Sequence, residues 1–287
     1  MNSKIFVIGA GRLGTTLGNA LQSEQFCIKH IYNHSGRNIT DLQDHFPEAL
    51  IWNELKIRSL NESDVFFLTV RDDILPKIIA TLKNFHICWE KKIVIHTSGI
   101  LTSSTLQSLA DNGSSIASMH PMQTFSSRFT PPTIFHGVFL ACEGSPAAMN
   151  YCKKIAKKLK ADFFPITSTS KVPYHLAGTV AANLFLALIN ISDKLFEESG
   201  IIKNKRHKII AALVQKVINN FRQKGTMSAL TGPLGRGDMR TIQQHIKYID
   251  QYHPEIRDIY QSLSKYILNE IISSETKTQY KIDSLFE

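Results

Sequence analysis

Gly9, Gly11 and Gly14 stand in VIGAGRLGTTLG, residues 7–18, at the spacing G-x-G-x-x-G. At such a turn the first glycine permits a tight bend, the second lets a pyrophosphate approach the backbone, and the third packs a helix against a strand. The phosphates then sit at the positive end of that helix. The spacing alone is a weak signal, and a structural turn is the alternative. Here the strand-like KIFVIG precedes it, an amphipathic helix from about Arg12 follows, and another strand lies beyond, which is the context a dinucleotide site requires.

A site that prefers NAD places Asp or Glu about 20 residues after the glycines, on the ribose 2′-hydroxyl. This chain has YNHSGR there. Asn33, His34, Ser35 and Arg37 offer hydrogen-bond donors and one permanent cation, with no carboxylate to repel a 2′-phosphate. The expected cofactor is NADP(H); a solvated loop is the alternative.

Lys171 and His175 are four residues apart and share one helical face. Hydride transfer to a carbonyl develops negative charge on oxygen, so a proton donor or cation must stand within reach of that oxygen. The pair fits this need; an interfacial lysine and a core histidine on an otherwise apolar helix are the alternative. His120 follows the strand SIASM, at the carboxyl end where open α/β sheets bind ligands, although Pro121 can equally hold a rigid loop there. In TGPLGRGDMRTIQQH, residues 231–245, Gly232, Gly235 and Gly237 allow close approach and positive φ. Arg236 can grip a carboxylate with two parallel hydrogen bonds, Asp238 can cap the next helix, and Thr241 and His245 share a face of it. The competing reading is a structural turn with a surface arginine. No metal is expected: the eleven histidines include no H-E-x-x-H, and His96, His120 and His245 need not converge.

The elements that must position these groups follow from periodicity. KIFVIG, IKHIYN, DVFFLTV, KIVIHTS, SIASMH and GVFLAC read as strands alternating with helices, several apolar on consecutive positions, as in parallel sheets covered on both faces. After ADFFPITSTS long helical patterns take over: about 172–199 ending at Gly200, 204–224 ending at Gly225, 238–248 and 254–272. The expected fold is α/β, a doubly wound parallel Rossmann sheet over residues 1–165 followed by an all-α domain over 166–287. The apolar run 172–191 is long enough for a bilayer, but His175, Asn183 and Asn190 suit a buried core helix better.

Composition bounds the rest. With 287 residues, 43% hydrophobic and 20% charged, the chain reads as an ordinary globular protein. Its charge of +9 is spread over both halves. In KKIAKKLK, residues 153–160, Ile155, Ala156 and Leu159 mark a buried stripe, so the lysines form a solvated face rather than a nucleic-acid patch. Four cysteines without C-x-x-C, and an N-terminus without signal-peptide features, fit a reducing cytosol and no membrane anchor.

VIGAGRLGTTL, SDVFFLTVRDDIL, IHTSG and MHPMQTF together resemble the NADP-binding half of the 6-phosphogluconate dehydrogenase-like superfamily, which includes ketopantoate reductases, pyrroline-5-carboxylate reductases and prephenate dehydrogenases. KVPYHLAGTVAANL and LTGPLGRGDMRTIQQH extend the resemblance to bacterial Rossmann-like proteins whose C-terminal helical domain is of unknown function. The resemblance implies a catalytic lysine, matched by Lys171, with an asparagine four residues on; His175 stands there instead, and Asn183 is a looser candidate for the amide. Arg12, Leu13, Val70 and Ser98 complete the expected cofactor set. The HPM motif suggests that His120 orients substrate or nicotinamide. The implied protein is a homodimeric oxidoreductase acting on a small anionic substrate, a 2-oxo acid of the ketopantoate type first, with prephenate-type or imine reduction as alternatives. A non-catalytic NADP-binding sensor or scaffold is the rival of another class.

Overall fold

Eight strands form one sheet: β1 (Lys4–Ile8), β2 (Cys27–Tyr32), β3 (Leu50–Trp52), β4 (Val65–Leu68), β5 (Ile93–His96), β6 (Ser115–Pro121), β7 (Phe139–Gly144) and β8 (Asp162–Pro165). Their spatial order is β3-β2-β1-β4-β5-β6-β7-β8. The first six positions follow the 3-2-1-4-5-6 order of doubly wound dinucleotide-binding sheets. The computed structural model describes residues 3–272.

Side-chain alternation along β1 shows how the layers arise. Ile5 and Val7 enter one buried cluster with Leu17 and Leu21 of α1 (Arg12–Ser23), Leu42 of α2 (Ile39–His45) and the later Ile155. Phe6 and Ile8 enter the opposite cluster, with Leu60 of α3 (Ile57–Asn61), Ile78 and Leu82 of α4 (Leu75–Asn84), and Leu109 of α5 (Gln107–Ala110). Helices therefore cover both faces. On α6 (Pro146–Lys158), Ile155 and Ala156 are buried, as is Leu159 just beyond it.

Two strands escape the periodicity reading: β3 is three residues long, and β8 is mostly exposed at the sheet edge. One link departs from a purely parallel sheet. β7 runs antiparallel to β6, because the connection between them contains only a 3₁₀ turn, Pro132–Phe135, and no helix to carry the chain back across the sheet.

The strand character ends at Pro165, but the two compact units divide between Phe185 and Leu186. The difference comes from α7 (Lys171–Thr179), which hydrogen-bonds to the sheet unit. A π-helical turn, Val180–Leu184, joins it to α8 (Phe185–Glu198), and Gly200 then adopts φ 78° as a stop. The expectation of a helix buried in the core is not met. The apolar window of the helix spanning Ser168–Glu198 has no buried residue, and by length and composition that helix could cross a membrane. Val172, Leu176, Val180 and Leu184 are all more than half exposed. Apolar residues recurring every four positions show that a helix has an apolar face without showing what covers it.

The second unit is helical. α9 (Lys203–Ala229) leaves helical geometry at Gly225, φ 73°, where the sequence places its end. α10 (Pro233–Arg236), α11 (Met239–Tyr252) and α12 (Arg257–Tyr266) follow. Ile242, Leu268 and Ile272 form its small buried cluster.

Candidate functional site

The glycine turn lies between β1 and α1. Gly9 has φ 113°, and a Cβ there would come within 2.9 Å of the Thr69 backbone and Val70 Cγ1. A Cβ on Gly14 would overlap the Gly9 carbonyl oxygen, so the third glycine is what lets α1 close onto the turn. Around Gly11 nothing lies within 4 Å of a Cβ position. No side chain caps α1, so its first backbone N–H groups stand at an open surface flanked by exposed Arg12 and half-buried Leu13. Thr69 is a missed contributor: its hydroxyl donates to the Gly9 carbonyl at 2.7 Å and ties the end of β4 to the turn.

After β2 the YNHSGR loop is partly self-committed. Asn33 is buried and its amide donates to the Arg37 carbonyl at 2.6 Å, while Ser35 donates to Asn33 Oδ1 at 3.2 Å. Asn33 thus shapes the loop through one of its amide hydrogens. His34, bonded through Nδ1 to the Tyr32 hydroxyl at 3.1 Å, and Arg37 are exposed.

Beyond β5, His96 is fully buried. Its Nε2–H donates to the Thr102 carbonyl at 3.0 Å and its Nδ1 accepts the Ser98 N–H at 3.2 Å, which fixes the neutral tautomer. Burial above all holds its pKa down at about 4, and the Lys171 charge adds to the effect. The Ser98 hydroxyl oxygen accepts from the Ile100 and Leu101 N–H groups at 3.3 and 3.0 Å, which closes this loop.

Lys171 ends against this loop. Its Nζ donates to the Ser98 carbonyl at 2.9 Å and to the Ser118 hydroxyl, and the residue is 1% exposed. Burial lowers its pKa to about 8, with Glu143 and Asp72 pulling the other way. Glu143, itself buried, receives hydrogen bonds from the Ser103 N–H and hydroxyl and from Ser168. Residues 171, 174, 175 and 178 occupy one face of α7 at i, i+3, i+4 and i+7. Tyr174, absent from the sequence-derived set, bonds His120 Nδ1 at 3.1 Å through its hydroxyl. The His120 and His175 rings lie 5.9 Å apart, edge to face. A Cβ on Gly99 would overlap the His175 ring and lie 2.9 Å from His120 Nε2, so only glycine brings the loop this close to both. A Cβ on Gly178 would lie 2.7 Å from Met122 Sδ. Burial first, then Lys171 and His175, holds His120 down at about 4, and burial pushes Tyr174 up to about 12. At neutral pH the imidazole and phenol are both uncharged.

Asn183 does not join them. It is exposed in the π turn, about 18 Å along the helix from Lys171. The wider turn also rotates the face that regular spacing would predict.

In the helical unit, Asp238 caps α11 as expected, accepting from the Thr241 N–H at 3.1 Å and the Thr241 hydroxyl at 2.8 Å. Gly232 and Gly237 have φ 99° and 67°. Thr241 is therefore engaged in the cap. His245 Nδ1 meets the Tyr260 hydroxyl at 3.1 Å, on the wall of an apolar cavity of about 350 Å³ with Leu188, Ile249 and Leu263. Arg236 is exposed. Among the described residues no group of three or more His, Cys, Asp or Glu side chains gathers to hold a metal.

The sheet topology places the first group of residues in one row. The YNHSGR loop, glycine turn, Thr69–Val70, Ser98–Gly99 and His120 lie at the carboxyl ends of β2, β1, β4, β5 and β6, which are consecutive neighbours. At about 4.8 Å per strand, the glycine turn and His120 are separated by about 14 Å.

Residues 2–121 match the Rossmann-like domain family, and residues 138–267 match a domain of unknown function, DUF2520. No protein of curated function matches the chain. Among solved structures, the chain is similar to a proposed NADP oxidoreductase from Bacteroides fragilis, with TM-score 0.76 and 21% identity over 93% of this chain and 98% of that one. It is similar to a protein from Thermotoga maritima, with TM-score 0.69 and 22% identity over 96% and 99%. A Plasmodium falciparum pyrroline carboxylate reductase with NADP bound gives TM-score 0.61 and 12% identity over 97% and 98%. At these identities the likeness is one of fold.

Proposed function

We propose that the chain is an NADP(H)-dependent oxidoreductase that reduces the C=N bond of a small anionic imine. The observation carrying this reading is the row along the sheet edge: a loop with exposed His34 and Arg37, an open glycine turn, then the His120–Tyr174–His175 cluster. This sequence of groups suits a 2′-phosphate, a pyrophosphate and a nicotinamide in turn. When bound, the reduced nicotinamide supplies hydride. Gly9, Gly11, Arg12, Leu13, Gly14 and Val70 shape the phosphate end; the loop at Ser98 and Gly99 borders the reactive end.

The cluster favours an imine over a ketone. A ketone's developing oxyanion needs a proton donor or cation within reach; the Lys171 ammonium is enclosed by Ser98 and Ser118, which leaves it only neutral donors. A neutral phenol suits a neutral imine, whose nitrogen takes up one proton as hydride arrives. The pyrroline carboxylate reductase fold agrees with this choice. The 2-oxo acids of the ketopantoate type, suggested by the motifs, are its competitors. In this reading residues 1–165 bind the cofactor and residues 166–287 serve substrate binding and dimerisation. The bare stripe Val172, Leu176, Val180 and Leu184 supports burial against a second copy, which a dimeric mass by light scattering should show and a monomeric mass would refute.

The test is a panel of cyclic imino acids, 2-oxo acids and prephenate, followed by nicotinamide absorbance at 340 nm. Turnover of imines with NADPH, more tightly bound than NADH, is the expected result, and Arg37→Ala should narrow that gap. Cofactor binding without any turnover would make the protein a sensor; equal affinity for NADPH and NADH would remove the 2′-phosphate assignment.

A further inference from the structure

We infer that Tyr174, rather than Lys171, delivers the proton that accompanies hydride transfer, and that His120 reloads it. The inference rests on the reductase reading above and adds a residue to it. Lys171 is the strongest acid candidate by residue type, yet its amine is enclosed: Nζ donates to the Ser98 carbonyl and the Ser118 hydroxyl, and 1% of the residue is exposed. An ammonium so placed braces the loop after β5 and projects its field; it does not touch a substrate. Tyr174 lies one helical turn further on the same face and is only partly buried. Its hydroxyl meets His120 Nδ1 at 3.1 Å, in the cluster where Gly99 lets the backbone approach both histidine rings.

A bound reduced nicotinamide would supply the hydride that the imine carbon gains; the Tyr174 hydroxyl hydrogen would pass to the imine nitrogen, giving a secondary amine and a phenolate. The phenolate takes the Nδ1 hydrogen of His120 as Nε2 accepts a proton from water, whose hydroxide is released to solvent. Loss of that Nδ1 hydrogen from an imidazole gaining one at Nε2 leaves His120 neutral in its other tautomer. Rotation or solvent exchange restores the starting state.

Tyr174→Phe removes one oxygen and keeps the ring. In the full-length protein, kcat for the best imine of the panel should fall by about 100- to 10,000-fold, the range of a general acid, with KM and NADPH affinity within about threefold of the parent. His120→Asn should lower kcat less, because water can reload the phenol. The double variant should be no slower than Tyr174→Phe, as befits groups acting in one relay. A readout free of turnover comes from histidine ring nitrogen NMR, in which Tyr174→Phe should change the tautomer balance of His120. A parent that reduces imines while Tyr174→Phe stays within threefold of it in kcat would overturn this assignment and leave the reductase reading standing. A parent inactive with the whole panel would overturn both. Multiplying single-variant losses in the double variant, or an unchanged His120 tautomer, would overturn the relay.

Discussion

The carboxyl edge of the sheet and the loop of residues 230–238 both looked equipped for chemistry in sequence, yet the structure treats them differently. At the sheet edge, polar groups are withdrawn from water and connected: His96, Ser98, Lys171 and Ser118 form one buried chain of hydrogen bonds, with Tyr174 and His120 beside it. In the glycine-rich loop the polar groups serve local backbone needs, Asp238 and Thr241 closing a helix start and Arg236 standing in solvent. Glycine and polar residues in one motif therefore indicate a turn; burial of titratable groups is the stronger sign of a site.

The sharpest way to break this contrast is acid. His96 and His120 are held at about 4 in the fold, against 6.5 when unfolded. Their stabilising contribution is complete above about pH 6.5 and is lost as pH falls towards 4, because the unfolded chain takes up protons that the fold refuses. At about 1.4 kcal/mol per unit, the two together should remove several kcal/mol of stability, on the order of 2–3 each. Urea melts between pH 7 and 4 should show this, with His96→Gln flattening the profile; a parent profile flat across that window would deny the burial argument.

Lys171→Met comes next. It removes the Nζ donor from both groups and leaves the Ser98 carbonyl with only the Ser118 hydroxyl at 3.3 Å, at a cost of about 1–3 kcal/mol against which relief of a buried charge acts. The pH signature is the opposite of the histidines'. With its pKa lowered to about 8 from 10.5, Lys171 weakens the fold fully below 8, and stability should rise as pH passes from 8 to 10.5. The variant should lose that rise. If parent and variant melt alike across this alkaline window, Lys171 is not the buried cation described.

The smallest effect belongs to the loop. Asp238→Ala removes a helix cap and should lower the unfolding midpoint of the helical unit by about 2–4 °C, while leaving NADPH affinity untouched. A loss of NADPH affinity in calorimetry would give this loop the functional weight denied to it above.

Local spacing sufficed for the glycine turn, because the backbone needs at Gly9 and Gly14 are met within one strand–turn–helix unit. It also sufficed for the strand-to-helix change after Pro165, the Asp238 cap and the breaks at Gly200 and Gly225. All of these depend on residues close in the chain, where φ preference and apolar period act directly. Only the tertiary structure decided that Asn33 turns inward, that Asn183 falls outside the cluster and that Lys171 is enclosed. It alone chose Tyr174 as the partner of His120, 54 residues away in the chain. Those outcomes depend on which strand lies beside which, and on a π turn that shifts the helical register. A hydrogen bond between residues so far apart forms or fails according to how the sheet and α7 are packed, a geometry that no local run of residue types contains.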